Sequence, residues 1–201
     1  MFTGIVQERG RVVHRQRAKG LVRLTVEAPR TAATVQRLES VAVNGVCLSV
    51  VAVGASALTF EVILETQQLT TIGQLQVGDP VNLEPSLSVS DRLGGHLLFG
   101  HIDAVGTVVS RRQRPGELVL EIRVAEALRK FLVPKGAVAV DGVSLTVGRV
   151  LTARTFTVHL IPETLRQTTL RDRLVDHRVN VEIDYFAKLV WQYVRGRSAR
   201  G

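Results

Sequence analysis

The chain has one cysteine and few aromatic residues. Cys47 is its only thiol among 201 residues, and phenylalanine, tryptophan and tyrosine make up 4%. A single thiol excludes an intrachain disulfide and any metal site built from several cysteines. With so few aromatic residues, the chain has few side chains on which the exposed bases of a nucleic acid could stack. The net charge of +8 comes mostly from arginines that are scattered along the sequence and not clustered in one basic patch. We therefore expect neither a metal ion nor a nucleic acid as a partner.

Long hydrophobic runs are also missing. No apolar run approaches the roughly 18 residues that a membrane span needs. The opening MFTGIVQERG lacks the basic region and the long apolar stretch of a secretory signal. We therefore expect a cytoplasmic protein without membrane contact. With 45% hydrophobic residues, the chain has enough apolar material for two modest cores.

The sequence does contain an internal repeat of domain length. SVAVNGVCLSV at 40–50 returns as AVAVDGVSLTV at 137–147, so that Asn44 and Asp141 lie 97 positions apart. LETQQLTTI and VNLE return 98 positions later as PETLRQTTL and VNVE. This period is that of a small domain, and it exceeds the period of solenoid and propeller repeats. Two similar domains predict two similar pockets, which suits a protein that handles two copies of one small molecule.

Each half is a series of short β-strands separated by glycine and polar turns, beginning at 4–6 and at 102–109. Regularly spaced short strands favour a small closed barrel, because closure leaves no sheet edge exposed. We predict one helix in each half, around 31–38 and 125–132, and a link near 86–97. The expected parts are a first barrel over 1–90, a second barrel over 91–184 and a terminal segment over 185–201.

After residue 184 the repeat stops and an apolar helical stripe follows. Its members recur at helical spacing: Phe186, Leu189, Val190, Tyr193 and Val194. The stripe predicts a helix that packs on its own barrel or assembles with other subunits, and the sequence leaves both open. The basic tail after it is expected to be solvated.

Small polar side chains share one strand face in each half. Cys47 and Ser49 alternate with apolar residues in the first half, and Ser144 and Thr146 do so in the second. Such a pair can hydrogen-bond the edge of a flat heterocycle or can simply face solvent. The preceding Asn-Gly and Asp-Gly pairs have the composition of tight hairpin turns.

The second half has ionisable groups where the first half is neutral. Gly4, Val6, Leu38 and Ser86 are replaced by His101, Asp103, Lys135 and Asp184. If both halves bind the same molecule, the second is better equipped to move protons. A histidine such as His101 suits general acid–base work, although a lone histidine is often structural.

These segments together resemble the riboflavin synthase family, α-chain type. The resemblance rests on MFTGIV, VNGVCLSV, GGHLLFGHI, VDGVSLTV, HLIPETL and VNVEID, in the family's order and nearly its spacing, from residue 1 to about 190. It implies an all-β fold of two tandem, pseudo-symmetric six-stranded antiparallel barrels with short helices. A C-terminal helix would then hold a homotrimer.

The resemblance implies a transferase that needs no cofactor. Two molecules of 6,7-dimethyl-8-ribityllumazine would exchange a four-carbon unit, giving riboflavin and 5-amino-6-ribitylamino-2,4-pyrimidinedione. One molecule would lose a proton from its acidic C7 methyl group, and a nucleophile would add to the other. Holding two identical rings face to face would lower much of the barrier. The alternative is a non-catalytic lumazine- or flavin-binding optical protein, and association with lumazine synthase is left open.

The resemblance also implies roles for individual residues. The implied catalytic group is His101 as proton shuttle, Ser144 as the hydroxyl nearest the reacting ring, Cys47 as candidate nucleophile, and Asp141 and Asp184 as orienting carboxylates. Lys135 would reach the ligand from an adjoining subunit, since the family's sites lie between the N-barrel of one subunit and the C-barrel of its neighbour.

The implied substrate-binding residues form one set in each half. The first set is Gly4, Ile5, Val6, Cys47, Leu48, Ser49, Glu61, Val62, Ile63, Leu64, Glu65 and Thr66. The second set is Gly100, His101, Ile102, Lys135, Ser144, Leu145, Thr146, His159, Leu160, Ile161, Pro162, Glu163 and Thr164.

Overall fold

A computed structural model describes residues 1–152 and 154–198, and these form two closed antiparallel barrels. The first barrel contains β1 (Glu8–Ala18), β2 (Leu21–Glu27), β3 (Ser40–Val43), β4 (Val46–Val53), β5 (Ala57–Ile63) and β6 (Pro80–Pro85). The second contains β7 (Ala104–Arg114), β8 (Glu117–Arg123), β9 (Ala137–Val140), β10 (Val143–Val150), β11 (Thr155–Leu160) and β12 (Arg178–Ile183). The order around the barrels is β1-β2-β5-β4-β3-β6 and β7-β8-β11-β10-β9-β12. The predicted pair of six-stranded barrels is confirmed.

Each barrel encloses its own apolar core. The core forms because buried and more exposed residues alternate along each strand. Along β2, for example, Val22, Leu24 and Val26 point inward and their neighbours are more exposed. Phe60 lies fully buried in the first core and Phe156 in the second. The sequence therefore closes two cores of similar size and does not form one shared core.

Among the described helices, three short ones connect strands and a fourth follows the last strand. They are α1 (Pro29–Ala32), α2 (Leu64–Leu69), α3 (Pro162–Gln167) and α4 (Tyr185–Ser198), with 3-10 turns at Thr71–Gln74, Glu126–Phe131 and Thr169–Asp172. None of the described helices is long and apolar enough to span a membrane.

Three local predictions were wrong. The helix expected around 31–38 is a single turn that ends at Ala32, after which Val35 is buried in the first core. The helix expected around 125–132 is a 3-10 turn. Residues 4–6 form no strand. In all three places tertiary packing overrides the local pattern.

The barrels meet at their two tight hairpin turns. Asn44 and Gly45 have φ values of 45° and 80°, and Asp141 and Gly142 have 46° and 76°, as the turn composition predicts. A Cβ atom on Gly45 would lie 2.6 Å from the Gly142 nitrogen, and one on Gly142 would lie 2.6 Å from the Gly45 nitrogen. The two turns therefore touch backbone to backbone, which requires glycine at both positions.

Two buried asparagines hydrogen-bond the barrels together with near two-fold symmetry. The Asn82 side-chain amide donates to the Asp141 carbonyl at 2.9 Å, and that of Asn180 donates to the Asn44 carbonyl at 2.8 Å. Their side-chain oxygens accept from Thr169 N at 2.7 Å and from Thr71 N at 2.8 Å. Each asparagine belongs to one barrel and holds backbone of the other, so the network fixes the relative position of the barrels.

Candidate functional site

The segment before the first barrel, residues 1–7, reaches across to the second barrel; we call it the first arm. The Glu84 carboxylate of β6 holds it by accepting from Thr3 N at 2.7 Å and from Gly4 N at 3.0 Å. The Gly4 carbonyl then accepts from Ser144 N of β10 at 2.8 Å, and Val6 packs on the second core. The first arm is therefore anchored on one barrel and built into the wall of the other.

The segment before the second barrel, residues 95–103, makes the reciprocal crossing; we call it the second arm. The Glu182 carboxylate of β12 accepts from Phe99 N at 2.8 Å and from Gly100 N at 3.1 Å. The Gly100 carbonyl accepts from Cys47 N of β4 at 3.0 Å, and Ile102 packs on the first core. The two arms thus exchange places.

This exchange corrects the grouping expected from the sequence. The first set of predicted residues joins Gly4 to Val6 with Cys47, whereas the structure brings that segment to Ser144. Gly100 and its neighbours come to Cys47 instead. Gly4 and Gly100 have φ of 76° and 74°, and a Cβ on either would lie within 2.6 Å of the strand residue that it faces. Only glycine allows this close crossing.

Most residues of the second predicted set line one pocket of about 530 Å³ on the second barrel. The pocket is lined by Lys135, Ser144, Leu145, Thr146, Gly148, Arg149, His159, Ile161 and Thr164. Hydroxyl groups, apolar side chains and one ammonium group therefore face the same space. Lys135 lines this pocket from its own chain, and its contact with a ligand of an adjoining subunit stays a prediction.

His96, which the sequence interpretation missed, lies against the key hydroxyl of this pocket. Its Nδ1 is 2.7 Å from Ser144 Oγ, and its Nε2 is buried without a hydrogen-bond partner among the described residues. Burial lowers the pKa of His96 below 6.5, and the Asp184 charge partly opposes this. Gly95 permits the approach, because a Cβ there would lie 2.2 Å from the Thr3 carbonyl oxygen. The Gly-Gly-His sequence at the start of GGHLLFGHI was the sequence signal from which His96 could have been identified.

The first barrel offers Cys47 without a matching histidine. Its side chain packs against the small apolar cluster between the barrels, which includes Phe2 and Leu98. Ser49 is exposed on the same strand face, as the alternation predicts. His101 is exposed, and its ring centroid lies 6.2 Å from that of Phe99. Within residues 1–152 and 154–198, no ring nitrogen is hydrogen-bonded to Cys47.

Asp141 lies at the hairpin turn where the two barrels meet. Its carboxylate is completely buried and accepts from Asn180 N at 2.8 Å. Arg173 contacts its other oxygen through Nε at 2.9 Å and Nη2 at 2.8 Å. Burial raises the pKa of Asp141, and Arg173 opposes this. The Asp141 carboxylate is therefore engaged by groups of its own barrel, and its expected role as an orienting partner of the substrate stays a prediction.

The other predicted residues fall into four groups. Leu48, Val62 and Leu160 are buried in the cores and shape the walls from behind. Ile5, Ile63 and Leu64 are exposed. Carboxylates of Glu61 and Glu163 bind Arg23 and Arg166, respectively, and Glu65, Thr66 and Pro162 belong to the turns at the starts of α2 and α3.

Asp184 lies where β12 passes into α4. Its Oδ1 accepts from Phe186 N at 3.1 Å and so caps the helix. Its charge also acts on His96. Of the predicted catalytic residues, Ser144 therefore hydrogen-bonds His96 and Asp184 acts on it through its charge, whereas Cys47 and His101 belong to the other arm's crossing.

Comparisons with known proteins agree with this architecture. Residues 3–86 and 99–184 each match the family model described as the lumazine binding domain. The chain is 41% identical over 198 residues to riboflavin synthase of Mycobacterium tuberculosis (strain ATCC 25618 / H37Rv), covering 97% of this chain and 98% of that protein. It is 39% identical over 186 residues to riboflavin synthase of Escherichia coli (strain K12), covering 92% and 87%.

Solved structures share the double-barrel fold. LumP complexed with riboflavin superposes with a TM-score of 0.85 at 25% identity, covering 91% of this chain and 99% of that chain. LumP complexed with 6,7-dimethyl-8-(1'-D-ribityl) lumazine has a TM-score of 0.82 at 24% identity, over the same shares of both chains.

Proposed function

Because the chain belongs to the riboflavin synthases, which are transferases, we propose that its two barrels bind two 6,7-dimethyl-8-ribityllumazine molecules for transfer of a four-carbon unit. One molecule becomes riboflavin and the other leaves as 5-amino-6-ribitylamino-2,4-pyrimidinedione. The observation that carries this proposal is the reciprocal crossing of the arms, which gives each barrel a strand face completed by the other half of the chain. Two strand faces of one design suit two molecules of one substrate.

In the second-barrel pocket, each kind of side chain has a proposed task. The Ser144 and Thr146 hydroxyls bond polar edges of the ring system, while Leu145 and Ile161 contact its flat faces. The Lys135 ammonium group stabilises negative charge that develops on the ring when the C7 methyl group loses its proton. In the first barrel, Cys47 and Ser49 present the equivalent polar edge to the second molecule.

Assembly is part of the proposal. In the described chain the stripe on α4 is 48–65% exposed, although each of its members is apolar or aromatic. Since a helical face of this kind is normally buried, we propose that it packs against other subunits in a homotrimer. First and second barrels of neighbouring subunits would then face each other and hold the two rings together. A cytoplasmic location and association with lumazine synthase remain predictions.

Turnover of the purified chain tests the proposal. Incubation with 6,7-dimethyl-8-ribityllumazine should consume two molecules for each riboflavin formed, as followed by chromatography with fluorescence detection. Ser144→Ala should retain the fold and lose most of this turnover. Tight binding of lumazine without conversion by the unmodified chain would instead assign it to the non-catalytic optical proteins.

A further inference from the structure

We propose that the second barrel binds a phosphate group on the terminal hydroxyl of a ribityl chain, through three arginines on its outer face. They are Arg112, Arg114 and Arg149, which we call the arginine face. The occupant is riboflavin phosphorylated at that hydroxyl, with its ring in the second-barrel pocket, where it competes with the substrate. Phosphoryl transfer to the reaction product supplies this ligand. The inference rests on the proposed function, because it assigns a regulatory ligand to the same pocket.

The arginine face lines a second, smaller cavity of about 90 Å³ beside the second-barrel pocket. Arg149 and His159 line both cavities, so the two spaces share a wall. Arg112 and Arg114 of β7 line the smaller cavity and do not line the pocket. Positive charge is therefore concentrated at one end of the pocket, away from the hydroxyl groups of Ser144 and Thr146.

Arg149 lies at a distance that suits a group at the end of the ribityl chain. Ser144 and Arg149 both belong to β10 and are five residues apart, which is about 17 Å of extended strand. Ser144 is proposed to bond the polar edge of the ring system. A ring system and an extended five-carbon chain that lie along β10 from Ser144 then bring the terminal oxygen of the chain to Arg149.

The shared wall includes a histidine ring that is fixed in place. His159 Nδ1 lies 2.7 Å from a carboxylate oxygen of Glu117. A Cβ atom on Gly148 would lie 2.8 Å from Cδ2 and 2.9 Å from Nε2 of the ring, so glycine at this position allows the ring to lie directly against β10. His159 therefore marks the border that the ribityl chain crosses between the pocket and the arginine face.

The arginine face has more positive charge than the neighbouring carboxylates neutralise. Arg112 and Arg114 form only long ion pairs, with Glu121 at 3.9 Å and with Glu117 at 3.5 Å. Among residues 1–152 and 154–198, no carboxylate forms an ion pair with the guanidinium group of Arg149. Guanidinium groups bind phosphate oxygens through pairs of N–H donors, so a phosphate monoester complements this face in charge and in geometry.

The first barrel does not carry the same face. The positions equivalent to the three arginines, by strand pairing and by the repeat, hold neutral residues: Gln16, Ala18 and Ala52. Arg23 on that face is instead paired with Glu61 at 2.6 Å. Because the proposed substrate is the same for both barrels and ends in a neutral hydroxyl, this difference points to a second, charged ligand of the second barrel alone.

Replacing arginines by their first-barrel counterparts tests the inference. At low ionic strength the unmodified protein should bind riboflavin 5'-phosphate about tenfold more tightly than riboflavin, at one site per chain, as measured by calorimetry and fluorescence quenching. The double variant Arg112→Gln with Arg114→Ala should lose most of this preference, and Arg149→Ala should lose part of it. Arg17→Gln with Lys19→Ala removes the same charge from exposed positions at the β1–β2 hairpin and is the matched control, which should keep the preference.

Inhibition of turnover connects the site to regulation. Riboflavin 5'-phosphate should inhibit riboflavin formation competitively with lumazine, and the double variant should need roughly tenfold more of it for the same inhibition. Without inhibitor, turnover of the double variant should match that of the unmodified protein, because the ribityl chain of the substrate carries no charge. High salt should weaken inhibition of the unmodified protein more than inhibition of the double variant.

Equal Kd values for riboflavin and its 5'-phosphate in the unmodified protein would overturn the inference, and so would a preference that survives in the double variant. Inorganic phosphate separates a linked phosphate from a free one. At the concentration at which riboflavin 5'-phosphate saturates the site, it should not displace that ligand, and displacement would show a site for free phosphate instead. Failure of the unmodified protein to make riboflavin would overturn the proposed function, whereas the Kd comparison does not depend on turnover.

Discussion

Cys47 and Ser144 occupy equivalent strand positions but have different neighbours. Each donates its backbone N–H to a glycine of an exchanged arm, yet only Ser144 has its side chain hydrogen-bonded to a histidine. The thiol instead lies against apolar side chains between the barrels. The two barrels share one fold at this position, and the difference between them lies in the side chains that contact Cys47 and Ser144.

We expect Cys47→Ser to lower kcat by less than about tenfold. Serine preserves the size and hydrogen-bonding capacity of the side chain, and Ser144 already occupies the equivalent position in the other barrel. Steady-state turnover and riboflavin binding of the variant check this. Complete loss of turnover with unchanged folding and binding would show instead that a thiolate nucleophile is required.

The pH profile of kcat provides a second prediction at this scale. Burial lowers the pKa of His96 below 6.5, so the ring stays neutral until the solution is more acidic than an ordinary histidine requires. Since only a neutral ring can accept a proton from Ser144, kcat should hold its plateau to lower pH than an ordinary histidine would allow and then fall in more acidic solution. His96→Asn should lack this acidic limb. An unchanged limb in the variant would assign that titration to another group.

His96 shows why sequence interpretation identified one histidine and missed the other. The comparison of the two halves drew attention to His101, because it replaces a glycine of the repeat. His96 lies in the link, and its partner is 48 positions away on β10. Repeat alignment detects differences between copies, but it cannot detect a contact between a linker and a strand.

At the scale of elements, two carboxylates hold the arms in place. Glu84 receives hydrogen bonds from the first arm and Glu182 from the second, and both side chains are buried. Each therefore belongs to one barrel but orders a segment that completes the site on the other. A substitution at either glutamate is therefore expected to affect the site on the opposite barrel.

Glu84→Gln should destabilise the protein by about 1–3 kcal/mol, because the new amide group would turn an N–H donor towards the N–H groups of the arm. Chemical denaturation measures this change. Although Glu84 belongs to the first barrel, the loosened arm should impair the Ser144 site, seen as slower deuterium exchange at the C7 methyl. The matched change, Glu182→Gln, should destabilise to a similar extent and slow that exchange less, because it loosens the second arm at Gly100, beside Cys47. Equal loss of exchange in both variants would contradict the arm assignment.

Strands were predictable from sequence and the arms were not. The strands alternate buried and exposed residues, and the tight turns carry Asn-Gly and Asp-Gly, so local chemistry specifies them. Residues 4–6 also look strand-like, but they run between barrels and pair with neither sheet in register. A repeat shows which residues are equivalent; it does not show which copy each residue contacts.

At the scale of the whole molecule, we expect α4 to link assembly to activity. Removing residues 186–201 deletes its apolar stripe, which could bury several hundred Å² at about 25 cal/mol per Å² before ordering costs are subtracted. We expect two folded barrels that still bind riboflavin but sediment as smaller species. Turnover should fall with the trimer fraction and recover partly at high protein concentration. Full turnover by a verified monomer would place both rings within a single chain.

The exchanged arms have a consequence for the ancestry of such a chain. A half-length protein with one barrel and one arm would complete its sites only as a pair of identical copies, and every substitution would appear twice. Fusion of the copies removes that constraint. After fusion, Asn44 and Leu75 of the first half can stay neutral while the corresponding residues of the second half, Asp141 and Arg173, form an ion pair. In the same way, His96 can lie beside Ser144 without a matching histidine in the other half. Covalent linkage of the duplicated halves thus permits two pockets of common descent to divide the chemistry of a reaction between identical molecules.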